Sequence, residues 1–371
     1  MTREEYCAKI EEAISAIDFR GEYIDHVRYG NGHINDTFLI RFRKENDVIE
    51  KYILQRMNHV IFKNPDQLMK NISGVTTFLK MKIVEAGGDV LRETLNVVNT
   101  KDGQSYYQDS IGAYWRAYLF IEDTVCYEQV KSPEDFYESA LAFGHFQKLL
   151  EEFDAKSLYE TIPNFHNTPV RYTVFEEAIK KDICNRVSEV QAEMDFLRAH
   201  KQEMANCMEL LEKGELPLKV THNDTKLNNI MMDRETGKGI CVIDLDTIMP
   251  GLSIFDFGDS IRFGANTATE DEVDLSKVTL DLELFEAYTK GFLEGCKGSL
   301  TDKEIEMLPM GAKTMTMECG MRFLTDYLQG DNYFRIHREK HNLDRCRTQL
   351  KLVQDMENKW EDMKCVVEKY R

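Results

Sequence analysis

The chain has 371 residues and a formal charge of -18 at pH 7, long enough to bury a large core as one large domain or two. So acidic a balance argues against a nucleic-acid backbone or an anionic membrane surface as main partner, and favours a small substrate. Nine cysteines stand singly with no CxxC pair, the pattern of reduced thiols in a cytoplasmic protein and not of a disulfide framework or zinc site. The amphipathic, acidic N-terminus lacks the apolar run of a signal peptide or membrane span.

Tyr6, Ile10, Ile14 and Ile17 recur at helical spacing and predict an amphipathic helix over 1–17. Strands are expected over 23–29, 37–42 and 48–57, the second alternating Phe38, Ile40 and Phe42 against Leu39, Arg41 and Arg43, with a hairpin turn at Lys44-Glu45-Asn46-Asp47. Between the first two strands lies Gly30-Asn31-Gly32-His33-Ile34-Asn35-Asp36. Its glycines would let backbone N–H groups approach phosphate oxygens, although such a run taken alone is more often an ordinary hairpin turn. Asn64-Pro65 has the form of a helix start and Gly87-Gly88 of a stop, with a helix of about twenty residues between them. Further strands are expected over 91–99, 105–108 and 113–121, the first two joined at Lys101-Asp102-Gly103. The first 120 residues therefore read as a small antiparallel sheet with one long helix.

Helical periodicity dominates from Ser132-Pro133 onward, and Thr301-Asp302-Lys303-Glu304 has the form of a capping box. Cys346, Leu350, Val353, Met356, Trp360, Met363 and Val367 predict one last helix with a core-facing stripe. Embedded in this helical part is 216–259, an apolar strand, a polar loop, a hairpin turning at Glu235-Thr236-Gly237, and a second apolar strand ending in Asp244-Leu245-Asp246. Strands first, then helices with one embedded hairpin, is the order of a two-lobed, protein-kinase-like α+β fold with its hinge within 120–127. An N-terminal nucleotide-binding lobe is expected over 1–122, and a larger, mainly helical catalytic and substrate-binding lobe over 123–371.

Phosphoryl transfer needs positioning and charge neutralisation, a carboxylate near the attacking hydroxyl and oxygen ligands for magnesium. His222-Asn223-Asp224 followed by Asn229 supplies a carboxylate and an amide at the loop spacing by which protein kinases place their catalytic Asp and metal-binding Asn. Asp244, after the strand Ile240-Cys241-Val242-Ile243, is then the expected metal carboxylate. Any one such pair is common in loops; the spacing, flanking strands and preceding sheet together carry the reading. Asp256-Phe257-Gly258 spells the protein-kinase metal triplet but lies beyond Pro250-Gly251. Asp256 is expected instead to hold the loop through its backbone N–H groups. His222 is expected as an anchor of that loop, since magnesium prefers oxygen ligands.

Thr221-His222-Asn223-Asp224-Thr225-Lys226-Leu227-Asn228-Asn229, Val242-Ile243-Asp244-Leu245-Asp246-Thr247, Pro250-Gly251 and Phe255-Asp256-Phe257-Gly258-Asp259 resemble the motifs of the aminoglycoside phosphotransferase superfamily. Within it the chain most resembles the bacterial N-acetylhexosamine 1-kinases, also through the glycine loop up to Phe38, Ile53-Leu54-Gln55-Arg56, Ile162-Pro163-Asn164-Phe165-His166 and Met321-Arg322-Phe323-Leu324-Thr325-Asp326-Tyr327-Leu328. The resemblance implies ATP- and Mg2+-dependent phosphorylation of the anomeric hydroxyl of N-acetylglucosamine or N-acetylgalactosamine, with no obligate protein partner. It implies Asp224 as catalytic base or orienter, Asn229 and Asp244 on magnesium, His33, Phe263, Arg322 and Tyr333 with Asp224 around the sugar, and Gly30, Gly32 and Asn35 toward the nucleotide.

Two departures stand out. The strand lysine that usually contacts the nucleotide phosphates is absent from Ile53-Leu54-Gln55-Arg56, so Arg56 would take that role, or Gln55 if the register shifts by one. The helix opened by Pro65 offers no obvious acidic partner for the ion pair such a lysine makes. The rival readings are a kinase of another small hydroxyl compound, such as choline, homoserine or an aminoglycoside, and a catalytically silent nucleotide-binding regulator. A cationic acceptor would call for an acidic pocket, for which Glu318 and Asp326 are the candidates.

Overall fold

Alternation of buried and outward side chains in the first third of the chain is realised as an antiparallel sheet. The computed structural model describes residues 3–30, 34–45 and 47–371; Asn31, Gly32 and His33 of the glycine loop, and Asn46 of the expected hairpin turn, lie outside the described residues. Helix α1 (Arg3–Ala16) precedes β1 (Glu22–Arg28), β2 (Asp36–Arg43) and β3 (Ile49–Met57), followed by α2 (Pro65–Glu85), β4 (Val97–Val98), β5 (Tyr107–Gln108) and β6 (Tyr114–Leu119). The strands lie in the order β1-β2-β3-β6, with β4 and β5 both pairing with β6. One face carries Phe38, Ile40, Phe42, Tyr52, Leu54 and Trp115, packed with Ile10, Ala13 and Ile17 at the α1 end. Helix α2 begins as expected, with the Asn64 side chain accepting the Gln67 N–H and Pro65 in the first turn.

The expected strand over 91–99 shrinks to β4. Asp89 accepts the Leu91 N–H at 2.9 Å, and Asn96 donates to the Val90 and Thr94 carbonyls at 2.8 and 2.9 Å. These local side-chain bonds satisfy backbone groups that a ladder would otherwise claim.

After Leu119 the chain leaves this sheet, and β7 (Thr124–Val125) pairs with β9 (Ile230–Asp233) in a second one. The second half contains α3 (Pro133–Leu149), α4 (Thr168–Lys181), α5 (Gln191–Ala199), α6 (Lys201–Glu212), β8 (Lys219–Thr221), β9, β10 (Gly239–Val242), β11 (Met249–Gly251), α7 (Ser253–Gly264), α8 (Leu282–Cys296), α9 (Asp302–Glu306), α10 (Leu308–Leu328), α11 (His341–Asn358) and α12 (Trp360–Tyr370). The capping box at Thr301 and Glu304 is present. The single last helix is in fact two: the stripe is broken at Lys359, whose ammonium reaches the Leu280 carbonyl at 2.7 Å.

Helix α7 is buried almost throughout and crosses α10 closely. A Cβ on Gly258 would lie 2.4 Å from the Gly311 carbonyl oxygen, so the glycine of the Asp256-Phe257-Gly258 triplet serves a helix crossing. All nine cysteines are free, and among the described residues no helix is long and apolar enough to cross a membrane.

Candidate active site

The loop between β8 and β9 is held from below by α7. Asp256 accepts the backbone N–H groups of His222 and Asn223 at 2.9 and 2.8 Å and the Gln147 amide at 2.7 Å. One turn on, Asp259 accepts the Thr225 N–H at 3.1 Å and is paired with Arg262. An i, i+3 pair of carboxylates on one helix face thus fixes the backbone of His222, Asn223 and Thr225. Asn223 sits at φ 64, a left-handed conformation Asn tolerates, and its side chain donates to the Thr221 and Thr247 carbonyls. His222 Nε2 bonds the Ile243 carbonyl at 2.8 Å, which ties the loop to the strand leading to Asp244. Both Asp256 and His222 are therefore anchors, as their placement in the sequence suggested.

On this platform Asn229 donates to the Asp224 carbonyl at 2.8 Å and to its carboxylate at 3.2 Å, and among the described residues its own Oδ1 accepts no hydrogen bond. Lys226 lies 2.7 Å from the other Asp224 oxygen. Burial works to raise the Asp224 pKa, but Lys226, with His222 and Arg262, holds it below the usual carboxylate value. Asp224 is thus an ionised acceptor at neutral pH, able to take a hydrogen bond or a proton from a hydroxyl.

Asp244 differs. It takes φ 58 after β10, and among the described residues its carboxylate has no hydrogen-bond or ion-pair partner. Water reaches it, yet the surrounding protein desolvates it, and this together with the nearby carboxylates of Asp246 and Asp224 pushes its pKa up to about 6. Asp246 is already committed, to Arg116 and to the Asn35 amide at 2.7 Å. An unpartnered carboxylate beside a second carboxylate and an open amide oxygen is an oxygen donor set that fits a hard divalent cation.

Strand β3 differs from one expectation. Arg56 shares its parity on β3 with Leu54 and Tyr52, so it projects to the α1 face, beside Asp36 at 3.5 Å and over Tyr6. Gln55 faces the cleft, and the cation there comes from the next strand: Arg116, which is buried, donates to Gln55 and to Asp246. Asn35 is likewise not free, since it donates to Asp246 and accepts the Asn58 N–H at 3.0 Å. Gly30 turns the chain after β1 with φ +75 and open space where a Cβ would stand. Gly32 and His33 lie outside the described residues.

At the other end of the Asp224 loop, His166 Nε2 lies 3.4 Å from the Asn223 carbonyl, and Nδ1 meets Glu318 at 2.9 Å. Arg322, one turn on along α10, lies 3.8 Å from Glu318 and packs its guanidinium over Phe165, Tyr333 and Phe334. Arg322 and Tyr333 are thus brought together, while Phe263, half-buried on α7, makes no ring contact with them among the described residues. Asp326 does not face a ligand: its oxygens accept the backbone N–H groups of Asn332, Tyr333 and Phe334 and the Asn342 amide. Arg116, Asp246 and Lys226 were not singled out as site residues from the sequence, and Glu318 only as a candidate acid for a cationic acceptor. Lys226 alone had a local signal, two residues after Asp224.

A family model described as the phosphotransferase enzyme family, APH, matches residues 27–289. Among solved structures, a microcompartment-associated aminopropanol kinase superposes with TM-score 0.60 at 13% identity, covering 96% of this chain and 98% of that one. An amicoumacin kinase solved with AMP-PNP and Ca2+ gives 0.58 at 11% identity, covering 96% of both chains. An aminoglycoside phosphotransferase from Alicyclobacillus acidocaldarius gives 0.61 at 11% identity, covering 97% of this chain and 96% of that one. These structures share the fold, and the matched segment spans the whole β8–β10 platform with Asp224, Asn229 and Asp244. The chain belongs to the phosphotransferase enzyme family.

Proposed function

We propose that this phosphotransferase is a small-molecule kinase that transfers the terminal phosphoryl group of ATP to the anomeric hydroxyl of an N-acetylhexosamine, N-acetylglucosamine or N-acetylgalactosamine, yielding the sugar 1-phosphate in the cytoplasm. Residues 1–122 serve the nucleotide and 123–371 the chemistry and the acceptor. The observation that carries the reading is the convergence of ionised Asp224, open Asn229 and unpartnered Asp244 on one rigid loop platform, with Arg322 and its aromatic neighbours reached through His166 and Glu318. Kinase names among the solved structures of the same fold, one of them bound to AMP-PNP and Ca2+, support the nucleotide.

Asp224 accepts the hydrogen bond of the attacking hydroxyl and so orients its oxygen toward the terminal phosphorus. As that oxygen bonds to phosphorus, the bond to the bridging oxygen of ADP breaks, and the hydroxyl proton passes to Asp224. Lys226 keeps Asp224 ionised until then. Asn229 and Asp244 would hold Mg2+, which when bound neutralises phosphate charge. Arg322 would hold a sugar hydroxyl or the acetamido oxygen, with Tyr333 and Phe263 at the rim and His33 from the glycine loop. Gly30, Gly32 and the cleft-facing Gln55 would line the phosphates.

The test is an ATP-consumption screen over N-acetylhexosamines, other hexoses, choline, homoserine and aminoglycosides, with phosphorus NMR on each product. Phosphate on the anomeric carbon of an N-acetylhexosamine is expected. Phosphate on another carbon, or turnover confined to amino alcohols, would overturn the assignment.

A further inference from the structure

Two arginines from different helices approach one aromatic ring, that of Phe165, which packs against His166. Arg322 of α10 lies 5.0 Å from the Phe165 centroid and Arg171 of α4 lies 6.0 Å from it. Arg171 Nε donates to the Phe165 carbonyl at 3.2 Å, and among the described residues no carboxylate comes within 4.0 Å of its guanidinium. Among the described residues Glu318, fully buried, is the one acid that faces both arginines; it meets His166 through Oε1, and its Oε2 has no hydrogen-bond partner there. The other acid of α10 that could offset them, Asp326, is spent on backbone N–H groups and Asn342. Two permanently charged guanidiniums therefore stand against one carboxylate in a partly desolvated corner. Burial and the charge of Arg322 both oppose the charge on Arg171, the signature of a cation that lacks its counter-charge.

We propose that Arg171 is a specificity-determining residue of the acceptor site: with Arg322 it gives the pocket a surplus positive charge, so that acceptors presenting a carbonyl or carboxylate are taken and acceptors presenting an ammonium group are rejected. The inference rests on the proposed location of the acceptor but not on the acceptor being a hexose. A like-charge juxtaposition is a repulsive element, and repulsion separates substrates that shape alone would not.

The test compares three acceptors that differ only at one substituent: a hexosamine with a free, protonated amine, its N-acetyl derivative and its N-succinyl derivative. In the wild type kcat/KM for the N-acetyl sugar should exceed that for the amine by roughly a hundredfold. Arg171→Gln should narrow that ratio about tenfold and Arg171→Glu further, through the acceptor KM and with the KM for ATP unchanged, while Arg171→Lys keeps it. Arg171 is partly exposed, so the folded state tolerates these changes. A ratio that stays within about threefold of wild type in both the Gln and Glu variants would overturn the proposal. Should no hexose be phosphorylated, which defeats the sugar assignment itself, the same variants are read with ethanolamine and ethylene glycol as acceptors. Preference for the neutral diol that weakens in Arg171→Glu supports the charge argument, and preference for the amine overturns it.

Discussion

Gln55 on β3 and Arg116 on β6 stand directly opposite one another in register, and Gln55 Oε1 accepts from Arg116 Nε at 3.0 Å and Nη2 at 2.8 Å. The remaining arm of the guanidinium pairs with Asp246, two residues beyond Asp244. The positive charge expected on β3 is thus supplied from the adjacent strand, and it ties the small sheet to the loop carrying the proposed metal carboxylate.

Arg116→Met should destabilise the fold by about 3 kcal/mol, because Asp246 is left buried and unpaired. Arg116→Met combined with Asp246→Asn should recover part of that loss. Urea denaturation checks both; a single variant as stable as wild type would mean that the pair carries no structural weight.

Asp244→Asn should stabilise the metal-free protein while abolishing magnesium-dependent turnover. The Asp244 pKa is raised from 3.8 to about 6, so the folded state binds the extra proton and stability falls as pH rises through that window. Removing the charge restores that stability at neutral pH. Because water reaches the group, screening trims the gain to about 1 kcal/mol, or roughly 2 °C in Tm. Asn also tolerates the left-handed backbone found there. In the wild type, magnesium and protons compete for this carboxylate, so the apparent magnesium affinity should weaken as pH falls below about 6. A Tm that falls in Asp244→Asn would contradict the unpaired state of the carboxylate.

Asp256→Ala should cost about 3 kcal/mol, since it strands the buried N–H groups of His222 and Asn223. Hydrogen exchange at those amides should accelerate along with it. Unchanged protection there would show that the loop is held by other contacts.

Arg322→Ala should raise the KM for the sugar about tenfold or more and that for ATP less than about twofold. Steady-state kinetics with each substrate varied separately measures the split. Equal effects on both constants would make Arg322 a structural residue.

The first strands, the caps and the loop platform were legible because their signals are local: alternation in β2, Asn64-Pro65, the Thr301 capping box, and the spacing from Asp224 to Asn229. The parity that separates Gln55 from Arg56 was also present in the sequence, since Tyr52 and Leu54 mark the buried α1 face. What no local pattern could give was Arg116, whose role depends on pairing with a strand some sixty residues away. Arg171 and Glu318 likewise come near one another only because α4 packs on α10. Asp326, expected as an acidic pocket residue, turned out to organise the 332–334 backbone, a task that its charge alone does not announce.

Phosphoryl transfer to the acceptor requires its hydroxyl to arrive at Asp224, and Asp224→Ala tests this most directly when sugar-dependent ADP formation and ATP binding are measured on the same preparation. Turnover should fall by about a thousandfold or more while the Kd for ATP stays within about threefold of wild type. Turnover that persists at more than about a tenth of the wild-type rate would contradict it.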